Sequence, residues 1–311
     1  MNTSFNAVPA TPADARAVAS SAVSPTHPLY WLVRRELWEN RYIYIAPLAV
    51  AGLFLVGSLI GMIHLPAQVR QLSSAAPEDY RQSILIPYNI AAAFMMATYI
   101  LVTIFYCADA LHSERRDRSV LFWKSLPVSD LTTVIAKACI PFVVLPLLTF
   151  AITLALQFMI LLLSSLVLLM SGLSIASLWA HLPVLQMALL FLYHIATSHA
   201  LWPAPIYCWL MLVSGWARRA TFLWAALPLL AIVGVEQMAF RTHHFASLVG
   251  QRLIGASEVA SFTPTDIFPT DPMTHITPGE FMLSPSLWIG LALAIAFLAA
   301  AVRLRRNQGP V

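Results

Sequence analysis

Long apolar runs, separated by short polar segments, dominate the sequence. From Ala138 to Ala217 the chain contains no Asp, Glu, Lys or Arg. A mainly apolar run of about 18 residues or more is typical of a membrane-spanning helix, and this run is long enough for two. Backbone groups inside hydrocarbon must bond within their own segment, so the spans are expected to be α-helical. The pattern predicts six spans, at 42–63, 87–107, 138–163 with an extension toward 170, within 186–216, 220–240 and 285–302.

Three segments flank or interrupt this predicted transmembrane domain at 42–306. Residues 1–26 are rich in Ala, Ser, Thr and Pro, lack the apolar core of a signal peptide, and are expected to form a disordered tail. Residues 307–311 form a short C-terminal tail. Ser171-Gly172 and Pro183 are expected to make the outer turn between the third and fourth spans. The predicted fold class is therefore an all-α integral membrane protein.

The charge balance supports this fold class and gives an orientation. Charged residues make up 10% of the 311 residues, whereas a soluble domain has about 25%. The net charge is +4, and the basic residues lie beside apolar spans, which favours a membrane surface and its lipids over nucleic acid. With both termini in the cytoplasm, only four of the 18 basic residues fall in outer segments, namely Arg70, Arg81, Arg241 and Arg252.

The segment 27–41 precedes the first span and has an amphipathic pattern. Leu29, Tyr30, Val33 and Leu37 share one helical face, and Arg34, Arg35 and Glu39 lie away from it. Tryptophans and arginines next to a span favour an interfacial helix on the inner leaflet. The alternative is a cytosolic extension of the first span.

The outer loop at 241–284 is the longest connection between spans. Residues 245–256 are expected to form a short helix on the outer membrane surface, and the following residues are rich in proline. A functional loop and a passive cover over the outer mouth are both compatible with this pattern.

The stretch DRSVLFWKSLPVSD, residues 117–130, sets bulky apolar side chains among charges between the second and third spans. Pro127 is expected to end a short helix, and Ser129 or Asp130 to cap the next one. The apolar residues lie on nearly all sides of that short helix, so we expect the helix to be buried against another surface. Either the headgroup region or a groove on a partner protein could supply one.

This stretch, followed by Lys137, resembles the cytoplasmic loop of ABC-2 type transporter permeases of bacteria. The resemblance implies a coupling loop at 109–137 that docks on a separate cytosolic ATP-binding subunit, a location in the bacterial inner membrane, and transport by export. It also implies a second permease copy, in a homodimer or a heterodimer. By position, the docking helix consists of Val120, Leu121, Phe122, Trp123, Lys124 and Ser125. Arg115, Arg116 and Lys124 are then expected to contact the polar surface of the ATPase.

The chain lacks a phosphate-binding loop of its own. That loop requires a lysine after a glycine, and the only lysines, Lys124 and Lys137, follow other residues. No cofactor or catalytic motif is expected, and ATP is expected on the partner subunit. A secondary carrier, which needs ionisable residues near the midplane, and a membrane scaffold are the alternatives. The cysteines, Cys107, Cys139 and Cys208, match neither zinc nor redox spacing.

A few polar residues inside the predicted spans are candidates for a substrate path. Gln157, His194 and His199 could line it, or could instead form hydrogen bonds between helices. Glu236 is the only acidic residue well inside a predicted span, where a carboxylate is costly and often functional, although near the helix end it could reach water. The histidines of the outer loop do not have the spacing of a metal site. The apolar spans hint at a lipid-like or amphipathic cargo.

Overall fold

The computed structural model describes residues 26–72, 77–116, 128–254 and 278–307, and within these ranges the ordered elements are all helices. In chain order the α-helices are α1 Thr26–Glu39, α2 Tyr42–Gly61, α3 Leu65–Leu72, α4 Pro77–Asp109, α5 His112–Arg116, α6 Asp130–Cys139, α7 Leu145–Met170, α8 Ala176–His181, α9 Val184–His194, α10 Ala204–Trp216, α11 Thr221–Phe240, α12 His244–Ile254, α13 Pro278–Leu283 and α14 Pro285–Asn307. Two π-helical segments, Ile140–Val144 and Ile195–Leu201, join α6 to α7 and follow α9.

Six helical stretches in the described ranges are long and apolar enough to cross a membrane, as the sequence predicted. They cover Tyr42–Gly61, Ser83–Arg116, Asp130–Met170, Val184–Leu201, Thr221–Phe240 and Pro285–Asn307. The apolar helix α10 continues the fourth stretch after a turn at Trp202-Pro203. The protein is therefore an all-α, multi-pass membrane protein.

One of the predicted span boundaries was wrong, whereas the predicted start of the helix that leads into the third span was correct. The second helix begins at Pro77, and Pro87 lies inside it, because a membrane helix can continue through a proline when neighbouring helices support the backbone. The third helix begins at Asp130, where Ser129 Oγ accepts a hydrogen bond of 3.0 Å from the backbone N–H of Thr132. The predicted N-cap is thus confirmed, and α7 reaches Met170 as its extension suggested.

The core of the bundle forms around α4, which packs against α2, α7 and α10. Its buried side chains include Met95, Tyr99 and Tyr106. The phenol of Tyr99 donates a 2.8 Å hydrogen bond to the carbonyl of Pro141 in the first π segment. A π turn frees carbonyl groups from the regular ladder, and this phenol satisfies one of them.

The most extensive helix–helix contact within the described ranges joins α10 to α14. Ala204 and Cys208 on α10 lie against Ala294 on α14, and small residues allow two membrane helices to approach closely. Trp209 and Phe297 extend the contact, with ring centroids 5.5 Å apart. The fourth and sixth spans therefore share one continuous interface.

The helix at 27–41 is confirmed as α1, but the face predicted for it is only partly correct. Leu29, Val33 and Leu37 are half-buried, whereas Tyr30 is exposed. Leu32 and Glu36 turn inward instead. The reason is electrostatic, because Glu36 forms an ion pair with Lys137 of α6 and this contact sets the rotation of α1.

Ion pairs also establish which segments share a side of the bundle. Glu36 precedes the first span, Glu114 lies near the end of the second, Lys137 near the beginning of the third and Arg305 near the end of the sixth. These side chains are joined by ion pairs, so the segments that carry them meet at one end of the bundle. We call this the charged end. The predicted disordered tail, residues 120–125 and most of the outer loop lie outside the described residues.

Cysteine labelling tests the orientation of the charged end. We expect Ser125→Cys to react with a membrane-impermeant maleimide only after the inner side is opened, and Thr265→Cys to react on intact cells. The positive-inside distribution is the physical reason. Reaction of Ser125→Cys on intact cells would contradict this orientation, and the unsubstituted chain serves as the background control.

Candidate functional site

The charged end contains a buried lysine between two carboxylates. Lys137 is 2% exposed, and its Nζ lies 2.7 Å from Glu36 Oε1 and 3.3 Å from Glu114 Oε1. The phenol of Tyr106 donates a further hydrogen bond of 2.9 Å to Glu36 Oε2. A charge removed from water requires such partners, because its desolvation is otherwise very costly. The three charges therefore fix α1, α5 and α6 relative to one another.

Arg305 extends this arrangement to the last span. Its guanidinium pairs with Glu114 through Nη1 and lies 3.1 Å from Asp130 Oδ1 through Nε. Glu114 lies three residues before the segment 117–127, and Asp130 lies three residues after it. One arginine on α14 therefore pairs with a carboxylate on each side of this segment, within the predicted coupling loop. We call Glu36, Glu114, Asp130, Lys137 and Arg305 the loop base.

The sequence placed Lys137 and Arg305 among the basic residues of the inner segments, used Lys137 in the family resemblance and offered Asp130 as a cap, but did not single out Glu36 or Glu114. The signal that could have found them is Lys137 itself. It lies within an apolar helix, where a lysine rarely remains without an acidic partner. The choice of partners depends on the helix packing, which residue spacing does not give.

The predicted ATPase-coupling residues divide into two groups. Val120, Leu121, Phe122, Trp123, Lys124 and Ser125 lie outside the described residues. Arg116 is exposed on α5, whereas Arg115 is half-buried and donates from Nη1 to the carbonyl of Gly215, 2.5 Å away at the end of α10. Arg115 thus ties the second span to the fourth at the charged end.

The predicted substrate-path residues form separate contacts. The buried Gln157 points its Nε2 at the carbonyl of Tyr88, 3.4 Å away, and the buried His199 has its Nε2 3.1 Å from Met96 Sδ. Both contacts reach α4, at positions about 12 Å apart along a helix. His194 Nδ1 lies 2.9 Å from the carbonyl of Leu190 on its own helix. Gln157 and His199 therefore each contact a neighbouring helix, and their place in a substrate path stays a prediction.

Glu236 has a structural explanation. Its Oε1 accepts hydrogen bonds from the hydroxyl of Thr242 and the backbone N–H of His244, both at 2.8 Å, and its Oε2 accepts one of 2.9 Å from the N–H of Phe245. A carboxylate bonded to the first N–H groups of a helix stabilises that helix end. Glu236 therefore caps α12 and fixes the turn that returns the chain from α11.

A second arginine, which sequence reasoning assigned only to the outer loop, anchors α12. Arg252 is buried and donates to the carbonyl of Trp202 at 2.9 Å and to Ser286 Oγ at 3.0 Å. Its guanidinium carbon also lies 4.2 Å from the ring centroid of Trp202. Burial lowers the pKa of Arg252 from its ordinary value. The helix predicted at 245–256 is thus confirmed as α12, fixed against the fourth and sixth spans.

The comparisons with known proteins add no assignment. No family model, curated protein or solved structure matches the chain. Within the described ranges, no group of three or more His, Cys, Asp or Glu side chains is placed to hold a metal ion. The loop base is therefore the feature of the described residues that bears most directly on function.

Replacement of Lys137 tests the loop base. In Lys137→Met, two carboxylates remain in a buried position without their shared cation, and we expect the free energy of unfolding to fall by about 3–5 kcal/mol. Unfolding in mild detergent, followed by circular dichroism, measures the change. The double variant Glu36→Gln/Lys137→Met should recover part of the loss. Arg303→Met at an exposed position is the control, and equal stability of both single variants would refute a buried pair.

Gly290 provides a steric test of the Arg252 anchor. A Cβ on Gly290 would lie 2.5 Å from Arg252 Nη1, so Gly290→Ala should destabilise the protein by about 1–3 kcal/mol. Gly57→Ala is the matched control, since a Cβ there meets nothing within 4 Å. Thermal unfolding compares the two variants. The cost of Gly290→Ala should shrink in an Arg252→Ala background, and equal costs in both backgrounds would contradict the contact.

Proposed function

We propose that the chain is the membrane subunit of an ATP-driven exporter of the ABC-2 type in a bacterial inner membrane. A separate ATP-binding subunit couples to it through residues 117–130. The observation that carries the proposal is the loop base, in which Arg305 pairs with Glu114 and Asp130 on either side of this segment. The apolar run from Val120 to Trp123 lies between those two anchors in the sequence.

The loop base supports a mechanical role. A loop that transmits motion needs ends that do not slide relative to the helices behind them. Both ends are attached to Arg305, and Lys137 links them to α1. Ion pairs in a water-poor setting are stronger than those on a surface. A displacement of the docked loop would therefore carry α1 and the second, third and sixth spans together.

The nucleotide chemistry then belongs to the partner. Closure of an ATP-bound dimer of the ATP-binding subunits would move two docked loops, one from each of two permease chains. This movement would shift the equilibrium between the conformations of the permease chains. A homodimer or heterodimer of such chains would enclose the transport path. In this arrangement α1 would lie along the inner leaflet. The guanidinium carbon of Arg34 lies 5.3 Å from the ring centroid of Trp31 and 5.4 Å from that of Trp38, and both tryptophans are exposed.

A secondary carrier fits the described charges less well. Coupling ions in carriers bind near the bilayer midplane. The buried carboxylates Glu36 and Glu114 of the described ranges lie at the charged end, where they pair with Lys137. Carboxylates that are paired with a lysine favour a structural link over an ion-binding step.

Copurification with candidate ATP-binding subunits tests the proposal. The double variant Leu121→Asp/Trp123→Asp adds two negative charges to the apolar run, and we expect the amount of ATPase recovered with the chain to fall about tenfold or more, since buried apolar and aromatic anchors dominate docking interfaces. Quantitative immunoblotting of the detergent-purified complex provides the measurement.

The matched control places the same charges in the other long loop. Ile267→Asp/Phe268→Asp should leave ATPase recovery unchanged, because that loop is predicted on the opposite side. Elution volume and melting temperature verify that both variants fold. Full ATPase recovery with a folded Leu121→Asp/Trp123→Asp chain would overturn the proposal and favour a scaffold or a carrier.

A further inference from the structure

Two sets of basic residues described at the charged end differ in their surroundings. Lys137, Arg35 and Arg305 each pair with a carboxylate. Arg115, Arg218 and Arg219 form no ion pair with any described carboxylate. They surround the turn between α10 and α11, and we call them the arginine cluster. Neighbouring cations that have no acidic partner among the described residues require another source of negative charge or extensive hydration.

The chain fixes this cluster firmly beside the turn. The backbone N–H of Leu111 donates to Ser214 Oγ at 3.2 Å, and His112 Nδ1 lies 3.1 Å from the carbonyl of Ala217. Arg115 donates to Gly215 from the same side. These contacts hold α5 against the end of α10, so the guanidinium of Arg115 lies at the base of the turn.

Two features of the cluster favour an anionic ligand. The Nε of Arg115 is buried and has no hydrogen-bond partner among the described residues, and the like charge of Arg218 acts unfavourably on Arg115. Ala220 then adopts a left-handed backbone conformation with φ of 49°, which few residues other than glycine adopt readily. The turn thus keeps Arg218 and Arg219 exposed next to Arg115.

The surface beside the cluster is suited to lipid. Trp216 and Trp224 are about half exposed and meet edge to face, with centroids 5.2 Å apart. Paired tryptophans are typical of the headgroup level of a membrane. The next residues of α11, including Phe222, Leu223 and Leu227, are exposed and apolar. Almost none of the apolar part of α11 is buried against other helices of the chain. This surface therefore offers cations at headgroup level and an apolar wall below them.

We propose that the arginine cluster and the Trp216–Trp224 pair form a binding site for the phosphate headgroup of an anionic phospholipid. The headgroup neutralises Arg115, Arg218 and Arg219, and its acyl chains lie along α11. Basic pockets between membrane helices recognise anionic headgroups in this way. The lipid site does not require an ATP-binding subunit, so its test and the test of the proposed function can give different outcomes.

Lipid retention tests the site. The full chain is placed in nanodiscs of phosphatidylcholine with a minor fraction of phosphatidylglycerol of the same acyl chains, then extracted in mild detergent and weighed by native mass spectrometry. We expect retained phosphatidylglycerol on the wild-type chain, and a loss of about tenfold or more in Arg218→Gln/Arg219→Gln. Retention should also weaken as salt increases.

The matched control removes the same charge elsewhere at this end. Arg41 and Arg303 are exposed, and Arg41→Gln/Arg303→Gln should keep the lipid. An equal loss of phosphatidylglycerol from both double variants would show only a general attraction between basic residues and anionic lipid, and would refute a specific site. Trp224→Ala should weaken retention without a change of charge, and unchanged retention in Arg218→Gln/Arg219→Gln would also refute the proposal.

Two further arms exclude other ligands. Glycerol phosphate at millimolar concentration should not displace the lipid, since it lacks the acyl chains, and full displacement would indicate a site for a soluble phosphate instead. An acidic protein surface is the other candidate. If Arg218→Gln/Arg219→Gln retains the lipid but loses a copurifying protein, the cluster is a protein-docking surface and the lipid proposal is wrong.

Discussion

The buried ion pair between Lys137 and Glu36 is the contact on which the charged end depends. It connects a helix that precedes the first span to the beginning of the third, across residues that are far apart in the chain. Once it forms, α1 is rotated to its observed face, and Glu114 is close enough to share the lysine. Arg305 then adds the last span. An apolar replacement of similar volume could be as stable, but it would not specify one orientation of these helices so strictly.

The spans themselves could be predicted from the sequence because hydrocarbon imposes a simple requirement on length and polarity. The N-cap at Ser129 and the helix around Arg252 followed from local rules in the same way. The start of α4 did not, since Pro87 was taken as a boundary although tertiary packing allows the helix to continue through it. The fourth span was predicted only as a wide window, because its break at Trp202-Pro203 has no charge to mark it.

The candidate site was less accessible to prediction. The count of basic residues in each segment placed Lys137 and Arg305 on the same side of the membrane, but it did not indicate which carboxylates pair with them. Glu236 was singled out as a carboxylate at depth, yet its partners are the N–H groups of His244 and Phe245, whose positions depend on the reversal of the chain after α11. Pairings of this kind arise from three-dimensional packing, and periodicity along one helix carries no information about them.

The π segments in the third and fourth spans have a consequence for the register of these spans. An α-helix advances by about 100° per residue, and a π turn accommodates one additional residue without ending the helix. Without the wide turn at Ile140–Val144, every later side chain of the third span would point about a quarter of a circle away, and Gln157 would lose its approach to Tyr88. A single-residue deletion at either place is therefore expected to convert the π turn into an α turn and to leave the later side chains in register, whereas a deletion elsewhere in the same helices would exchange lipid-facing and core-facing side chains.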